Sequence, residues 1–205
     1  MRVNCPEHQH NEDFSMIITV LSTKGGVGKS TTAIHLAEYL SQSAQTFLID
    51  TDTNPSATWW ARSTPFRLFQ EIPDVLATHN VVDCSPRLSQ ESLQDFASNS
   101  DIVIIPTPPR GVDIASIARL TPHLPLGNYK ILLTMVPPKP SSRLDEAREA
   151  LSDYPTFECY IPERIAVSKA GEQGTTVNKV KKDQGAKQVA RAYRNLAKEI
   201  LNGGN

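Results

Sequence analysis

The residues with the clearest capacity for chemistry stand together in one glycine-rich stretch. Residues 23–31 read Thr-Lys-Gly-Gly-Val-Gly-Lys-Ser-Thr, directly after an apolar run at residues 16–21 and directly before a helical pattern. Gly25, Gly26 and Gly28 permit backbone angles that a Cβ atom disfavours, so successive N–H groups can turn toward one anion at a helix N-terminus. This spacing predicts a loop that binds the phosphates of a nucleotide.

Each remaining residue of the loop core has a predicted role. Lys29 adds a positive charge on the outer phosphates, Ser30 offers its hydroxyl to Mg²⁺, and Thr31 contacts an inner phosphate. The backbone of Val27 joins the glycines in the phosphate cradle. A glycine-rich turn without a ligand is the alternative, but it does not explain why Lys-Ser opens the helix.

Carboxylates follow two of the predicted strands. Asp50 and Asp52 come after an apolar run at residues 46–49, and Asp83 follows residues 81–82. The carboxyl ends of parallel strands face the ligand crevice, so these side chains are suited to holding a metal ion and handling water. Taken alone, two aspartates after a strand are more often turn formers or helix caps.

Alternating apolar runs and helical patterns indicate the elements that must position these residues. Short apolar strands are predicted at residues 16–21, 46–49, 81–82, 102–105 and 129–135, and helices at residues 33–40, 91–97, 112–120, 143–151 and 186–201. Continuous apolar strands separated by amphipathic helices indicate an α/β fold, with a mostly parallel, twisted sheet and helices on both faces. We expect a P-loop NTPase in a single domain at residues 16–205.

The first fifteen residues lack any apolar period, and we expect them to form a disordered extension. Cys5, His8 and His10 offer metal ligands there, but an unstructured arm is the simpler interpretation. The three cysteines of the chain are widely spaced, which indicates neither a disulfide framework nor a paired metal motif. A reducing cytoplasm is the expected location.

The composition argues against an intrinsically disordered protein and against a membrane-spanning one, and the charge of the C-terminal region indicates an anion-binding surface. The chain is 39% hydrophobic and 21% charged, as in ordinary globular proteins, and no apolar run approaches the roughly 18 residues of a membrane span. From residue 164 to the end, nine Lys or Arg stand against three Asp or Glu. Phosphate backbones bind such groups without sequence preference, although a solvated helix face is the alternative. The candidate DNA-binding residues are Lys179, Lys181, Lys182, Lys187, Arg191, Arg194 and Lys198.

The phosphate loop departs from the ordinary motif in one informative respect. Thr23 stands where that motif has glycine, and an additional lysine, Lys24, precedes the two glycines. The string resembles the deviant Walker A sequence of the ParA and MinD family of ATPases. The resemblance implies that ATP and Mg²⁺ are bound, that ATP closes a homodimer, and that Lys24 reaches the partner's nucleotide as a catalytic residue together with Lys29.

The same resemblance extends to the acidic segments. Residues 50–56 are similar to the family's D-x-D-P-Q-x-S switch, which implies that Asp52 orients the attacking water and that Asp50 supports the Mg²⁺ from behind its direct ligands. Thr53 and Asn54 replace the family's Pro-Gln. Residues 81–86 resemble a Walker B strand, in which Asp83 holds a water on the Mg²⁺. Loops at residues 136–138 and 160–162 are expected to flank adenine.

Several classes of protein share this type of phosphate loop, and features that this sequence lacks argue against three of them. Iron-sulfur reductases need suitably placed cysteines, membrane-cycling MinD proteins need a terminal amphipathic helix, and bacterial tyrosine kinases have a tyrosine-rich tail. What remains resembles the short ParA class, which lacks a helix-turn-helix extension. The resemblance implies non-specific nucleoid DNA binding in the cytoplasm, no stable membrane association, and hydrolysis stimulated by a cargo adaptor of the ParB or centromere-binding type. A carboxysome-positioning or protein-cluster ATPase, a MinD-like membrane-cycling regulator and a noncatalytic scaffold are the alternatives.

Overall fold

The computed structural model describes residues 15–52, 60, 64–125, 127–138 and 142–203. The predicted N-terminal extension and its cysteine and histidines therefore lie outside the described residues, apart from Ser15. Short 3₁₀ turns occur at Thr121–His123 and Val177–Lys179. The strands and helices are β1 (Met16–Val20), α1 (Lys29–Leu40), β2 (Thr46–Asp50), β3 (Arg67–Phe69), β4 (His79–Asp83), α2 (Gln90–Ser98), β5 (Ile102–Thr107), α3 (Gly111–Leu120), β6 (Tyr129–Leu133), α4 (Ser142–Ala150), α5 (Ile165–Glu172) and α6 (Gln184–Asn202).

The six strands form one parallel sheet in the order β3-β2-β4-β1-β5-β6. Parallel neighbours bring their carboxyl ends to the same edge, where the register pairs Asp50 with Asp83 and Val20 with Asp83. The chain leaves this edge at Val20 to enter the glycine-rich loop. The predicted fold class, an α/β P-loop NTPase with a parallel sheet, is confirmed.

Alternation along the strands divides the core between the two sheet faces. On β5, Ile104 packs with α1, α5 and α6, whereas Val103 and Ile105 pack with α2, α3 and α4. Successive residues of a strand point to opposite faces, so an all-apolar strand requires helices on both sides. Such burial explains why the central strands are continuous apolar runs in the sequence.

The last helix closes one face of the sheet and holds the helix of the phosphate loop. Its inner side is buried as the sequence predicts, at Val189, Tyr193, Leu196, Ala197 and Ile200. This stripe packs in the same cluster as the apolar face of α1. No helix in the described part of the chain is both long enough and apolar enough to cross a bilayer.

Two elements are absent from the sequence-based prediction. β3 has only three residues, and α5 has eight with two buried alanines, Ala166 and Ala170. Neither segment is long enough for a hydrophobic period to stand out. Both owe their structure to neighbours already in place, β3 to β2 and α5 to α6.

A segment following α4 runs alongside β6 and extends the sheet by isolated hydrogen bonds. Phe157 N donates to Ile131 O at 2.9 Å, and Ile161 N donates to Leu133 O at 2.8 Å. Glu163 N then donates to Val136 O at 2.7 Å. These bonds fix residues 157–163 against the last strand of the sheet.

Asn80 interrupts the apolar pattern of β4 because it organises the start of the sheet. The side chain is fully buried; its Oδ1 accepts from Ala77 N at 3.0 Å, and its Nδ2 donates to Ala77 O at 2.8 Å and to Ser15 Oγ at 2.9 Å. One amide thus satisfies both backbone groups of a buried turn residue. A polar residue in this strand is consequently structural.

Replacing Asn80 with alanine is expected to destabilise the protein by about 1–3 kcal/mol, because the buried N–H of Ala77 loses its partner and Ala77 O keeps only the Ser15 hydroxyl. Denaturant unfolding measures the change. Asn99→Ala is the control, since the exposed Asn99 donates only to Asp95 O, and we expect it to cost less than about 1 kcal/mol. Equal losses in the two variants would contradict the structural role of Asn80.

Candidate nucleotide-binding site

The glycine-rich loop adopts a conformation that requires two of its glycines. Gly26 has φ 71° and Gly28 has φ 97°, both in the left-handed region. Gly28 faces the Thr134 side chain, from which an added Cβ would lie at an ordinary contact distance of 3.8 Å, so its positive φ is what requires glycine. Thr134 in turn donates its hydroxyl to Val27 O at 2.8 Å, which fixes the loop to the end of β6.

The N-terminus of α1 is open toward the loop. The first helical hydrogen bond runs from Thr32 N to Gly28 O at 2.9 Å, so the N–H groups of Lys29, Ser30 and Thr31 precede the intrahelical bonds. No side chain caps this helix, and its first turn contains no acidic residue. Free amides and the positive end of the helix dipole therefore converge where the sequence predicts phosphate.

Lys29 is a buried cation beside the loop. Lys29 is only 7% exposed, and its Nζ donates to Lys24 O at 3.0 Å. Burial lowers the pKa of Lys29, whereas the nearby charges of Asp83 and Asp52 act to raise it. An ammonium group held out of water in this way is prepared to bind an incoming polyanion.

Asp83 lies at the carboxyl end of β4 with its charge poorly compensated. The residue is 1% exposed, and neither carboxylate oxygen has a hydrogen-bond partner of acceptable geometry among the described residues. Burial raises the pKa of Asp83 to about 7; Asp50 adds to the shift, and Ser30 and Lys29 oppose it. Orphaned carboxylate oxygens near the Ser30 hydroxyl fit Mg²⁺ and its bound water.

Backbone contacts hold the other two aspartates at the same edge. Thr51 donates from its N–H and its hydroxyl to Asp83 O, at 3.0 and 3.1 Å. Asp52 N donates to Asp50 Oδ1 at 3.1 Å. The three predicted acidic residues thus meet beside Lys29, while Thr53 and Asn54 lie outside the described residues.

A pocket of about 140 Å³ opens beside the phosphate loop. Gly28 and Thr31 form its loop side, and Met135, Ile161 and Pro162 form the opposite wall. Of the two segments expected to flank adenine, residues 160–162 contribute to this pocket, whereas Met135 lines it in place of residues 136–138. Because Gly28 and Thr31 of the phosphate loop border it, this pocket is the candidate position for the nucleotide base.

Trp60 is half-buried and packs against the core on the α1 side of the sheet. Its ring meets His35 edge-on at a centroid distance of 5.6 Å, and a Cβ atom at Gly171 would lie 3.0 Å from it. Trp60 is not among the pocket-lining residues. Trp59 lies outside the part of the chain that the structure describes.

Polar groups on the far side of α1 tie that helix to the segment before α6. Val177 N donates to His35 Nε2 at 3.2 Å, so the ring proton lies on Nδ1 and is donated to Thr31 O at 2.7 Å. Burial lowers the pKa of His35 to about 4, which keeps the ring neutral. The buried Glu38 carboxylate accepts from Thr176 and Asn178, both at 2.6 Å. Hydrogen bonds therefore link α1, the helix of the phosphate loop, directly to residues 176–178, which precede the lysines at positions 179, 181 and 182.

Lys24 is held within its own chain in this structure. Its Nζ donates to Asp113 Oδ1 at 2.9 Å and to Val112 O at 2.6 Å, at the beginning of α3. The predicted contact of Lys24 with a partner's nucleotide stays a prediction. Asp113 had no assigned role, because an aspartate in a first helical turn is ordinarily read as a helix-stabilising charge.

The candidate DNA-binding residues are all exposed, and they fall into two groups. Those on α6 recur every three or four residues and form one stripe: Lys187, Arg191, Arg194 and Lys198. Of these, Arg194 lies over the ring of Tyr39, 6.0 Å from its centroid. Lys179, Lys181 and Lys182 lie in and after the 3₁₀ turn that α1 holds.

Replacing Asp83 with asparagine is expected to change how stability depends on pH. The folded-state pKa near 7 lies above the unfolded value of 3.8, so the folded protein binds more protons and wild-type stability falls as pH rises between these values. The variant lacks this loss. Its stability relative to wild type should therefore increase from pH 4 to pH 8, by up to about 4 kcal/mol for the nucleotide-free protein.

Urea unfolding of both proteins across this pH range provides the measurement. Comparing variant with wild type cancels the opposite pH dependence contributed by His35, whose pKa is lowered. Asp74→Asn, at an exposed position, is the control and should show a pH-independent difference. A flat difference for Asp83→Asn would contradict the buried, uncompensated carboxylate.

Comparisons with known proteins agree with this geometry. Residues 18–177 match the family described as the CobQ/CobB/MinD/ParA nucleotide binding domain. The chain is 32% identical over 209 residues to the maintenance of carboxysome distribution protein A of Gloeobacter kilaueensis, covering 93% of this chain and 96% of that protein.

Solved structures share the fold at lower identity. A plasmid partition protein from Borrelia burgdorferi B31 bound to AMPPNP superposes with a TM-score of 0.74 at 21% identity, covering 92% of this chain and 99% of that chain. The septum site-determining protein MinD of Pyrococcus horikoshii OT3, complexed with Mg-ADP, gives a TM-score of 0.70 at 16% identity, covering 92% and 98%. The chain belongs to the CobQ/CobB/MinD/ParA family of nucleotide-binding domains.

Proposed function

We propose that this protein is a ParA-type ATPase that closes a homodimer around ATP and Mg²⁺ and positions a cargo on non-specifically bound DNA. One observation carries the nucleotide part: an uncapped helix N-terminus and the buried Lys29 face the same space as the orphaned carboxylate of Asp83. A buried cation, free amide donors and a carboxylate able to hold a metal ion together favour a metal-bound polyphosphate as the ligand.

Each residue of the candidate site has a part in the proposed reaction. Lys29 and the amides of residues 25–31 hold the phosphates, while Ser30 and Asp83 hold Mg²⁺ and its water, with Asp50 behind them. When bound, Mg²⁺ neutralises charge that develops on the phosphates. Asp52 is half-buried at the sheet edge and orients the attacking water. Slow hydrolysis that an adaptor accelerates follows if the site is completed only by a partner.

The curated relative supports a protein compartment as the cargo. Its name assigns it to carboxysome distribution, and the match covers nearly the whole length of both chains. Plasmid cargo is the second candidate. The two candidates differ in what the cargo adaptor binds, which is a protein compartment in the first case and plasmid DNA in the second. A membrane-cycling regulator would instead bind anionic liposomes in ATP and show little affinity for DNA.

The first test separates nucleotide binding from dimerisation. Lys29→Ala is expected to weaken ATP binding by at least about 100-fold, because a charged contact to phosphate is lost. Lys24→Ala should retain ATP binding, since Lys29 contacts only the backbone of residue 24. It should nevertheless fail to dimerise in Mg-ATP. Fluorescent-nucleotide titration and sedimentation velocity measure the two properties.

Dimerisation of Lys24→Ala at wild-type protein concentrations would sink the cross-subunit role of this lysine. Retained ATP affinity in Lys29→Ala would sink the assignment of the phosphate site itself. Lys169→Ala, at an exposed position on α5, serves as the control for loss of a surface lysine.

A second prediction concerns the ion pair between Lys24 and Asp113. If Lys24 must leave this pair to reach the partner's nucleotide, Asp113→Asn removes a competitor worth about 1 kcal/mol. Because each of the two protomers releases one such pair, we then expect the ATP-dependent dimer to form at protein concentrations about 30-fold lower. Asp145→Asn is the matched control, because Asp145 is an exposed aspartate in the first turn of α4. Weaker dimerisation of Asp113→Asn would show that this carboxylate acts in the dimer rather than against it.

A further inference from the structure

An open groove of about 770 Å³ lies between α6 and the segment at residues 158–164. Three cations line it, namely Arg164, Lys187 and Arg191, against a single carboxylate, Glu158. The lining also includes the hydroxyl of Tyr160, the apolar surface of Pro138, Pro162 and Ala192, and three amides of α6: Gln184, Gln188 and Asn195. The groove thus has an excess of two positive charges and many neutral hydrogen-bonding groups.

Arg164 is fixed in this groove by contacts to both of its sides. Its Nε donates to Gln188 Oε1 on α6 at 2.7 Å, and its Nη1 donates to Glu163 O at 2.6 Å. The stem of Arg164 passes over Gly185, where an added Cβ would lie 3.1 Å from Cδ. A guanidinium has five N–H donors, so donors remain after these two contacts.

The groove also shares a wall with the base pocket. Pro162 and Arg164 line both cavities. The backbone of this wall is held to the carboxyl end of β6 by the bonds of Ile161 and Glu163 described above. A ligand that contacts Arg164 from the groove therefore touches the residue that also borders the nucleotide base.

We propose that this groove seats the sugar-phosphate backbone of DNA, with Arg164, Lys187 and Arg191 as the phosphate-binding residues, and that Arg164 links this seat to the nucleotide pocket. The inference rests on the proposed function and narrows it to one surface. Phosphate contacts come typically from Arg, Lys and amide side chains, as found here. Tyr160 and the two prolines give the groove some of the apolar and aromatic surface that a peptide seat favours, but three cations against one carboxylate match a sugar-phosphate backbone more closely than an acidic adaptor segment.

The test measures binding of a random-sequence duplex by fluorescence anisotropy, with the full chain in Mg²⁺ and a non-hydrolysable ATP analogue. The double variant Lys187→Gln, Arg191→Gln should bind at least about ten-fold more weakly and reduce the salt slope of log K by about two. The double variant Arg119→Gln, Arg143→Gln removes the same charge at exposed positions on α3 and α4, outside the groove and outside the candidate DNA-binding set, and should bind within about three-fold of wild type. Both double variants should retain wild-type affinity for a fluorescent ATP analogue.

A charge-neutral variant tests the role of Arg164 separately. Gly185→Ala brings a methyl group to 3.1 Å from both the Arg164 stem and Asp183 Oδ1, which accepts from Ala186 N at the start of α6, and should weaken DNA binding about three- to ten-fold without a change in net charge. Thermal unfolding verifies that the fold is retained, since alanine is favoured over glycine in a helix. Unchanged DNA affinity in this variant would overturn the part assigned to Arg164.

The remaining outcomes are distinct. Equal losses in the two double variants, or a loss only in the Arg119, Arg143 variant, would overturn the groove as the DNA seat while leaving the proposed function in place. Failure of the wild type to bind DNA in any nucleotide state would overturn both. Loss of adaptor binding with retained DNA binding would assign the groove to an acidic peptide and overturn the inference.

Discussion

Two charges held out of water at one edge of the sheet, the ammonium of Lys29 and the carboxylate of Asp83, set the terms for the rest of this structure. Each is costly to bury, and burial shifts each pKa toward the neutral form. The parallel register fixes Asp83 beside Asp50, and the positive φ of Gly28 lets Lys29 begin a helix at the same edge. A bound metal polyphosphate would pair with both charges at once, so binding of the ligand would also offset the free-energy cost of burying Lys29 and Asp83.

Much of the fold was readable in the sequence because its strands are buried on both faces. Continuous apolar runs marked the central strands, and the period of α6 located most of its buried stripe, although Ala186 and Ala192 are buried as well. β3 and α5 were missed because three and eight residues are too few to show a period. Asn80 looked like an interruption of β4, since its partners, Ser15 and Ala77, become neighbours only when the sheet forms.

The candidate site shows the same division between local and long-range information. The phosphate loop was predictable because its function depends on contiguous backbone geometry that glycines announce. Asp113 was not, since its pairing with Lys24 joins residues 89 positions apart. The link from Thr31 through His35 to Val177 was equally hidden. His35 and Glu38 are charged or titratable residues within a helix that otherwise reads as apolar, and that mismatch was the available signal.

The two borders of the sheet differ, and the difference limits how copies of this protein can associate through their backbones. Residues 157–163 already occupy the hydrogen-bonding side of β6, whereas β3 ends the strand order in the described part of the chain. An uncovered border can template another strand, and a covered one cannot. The β6 border is therefore closed to backbone pairing between molecules, so a filament that needed both borders of the sheet would have to grow through side-chain surfaces instead.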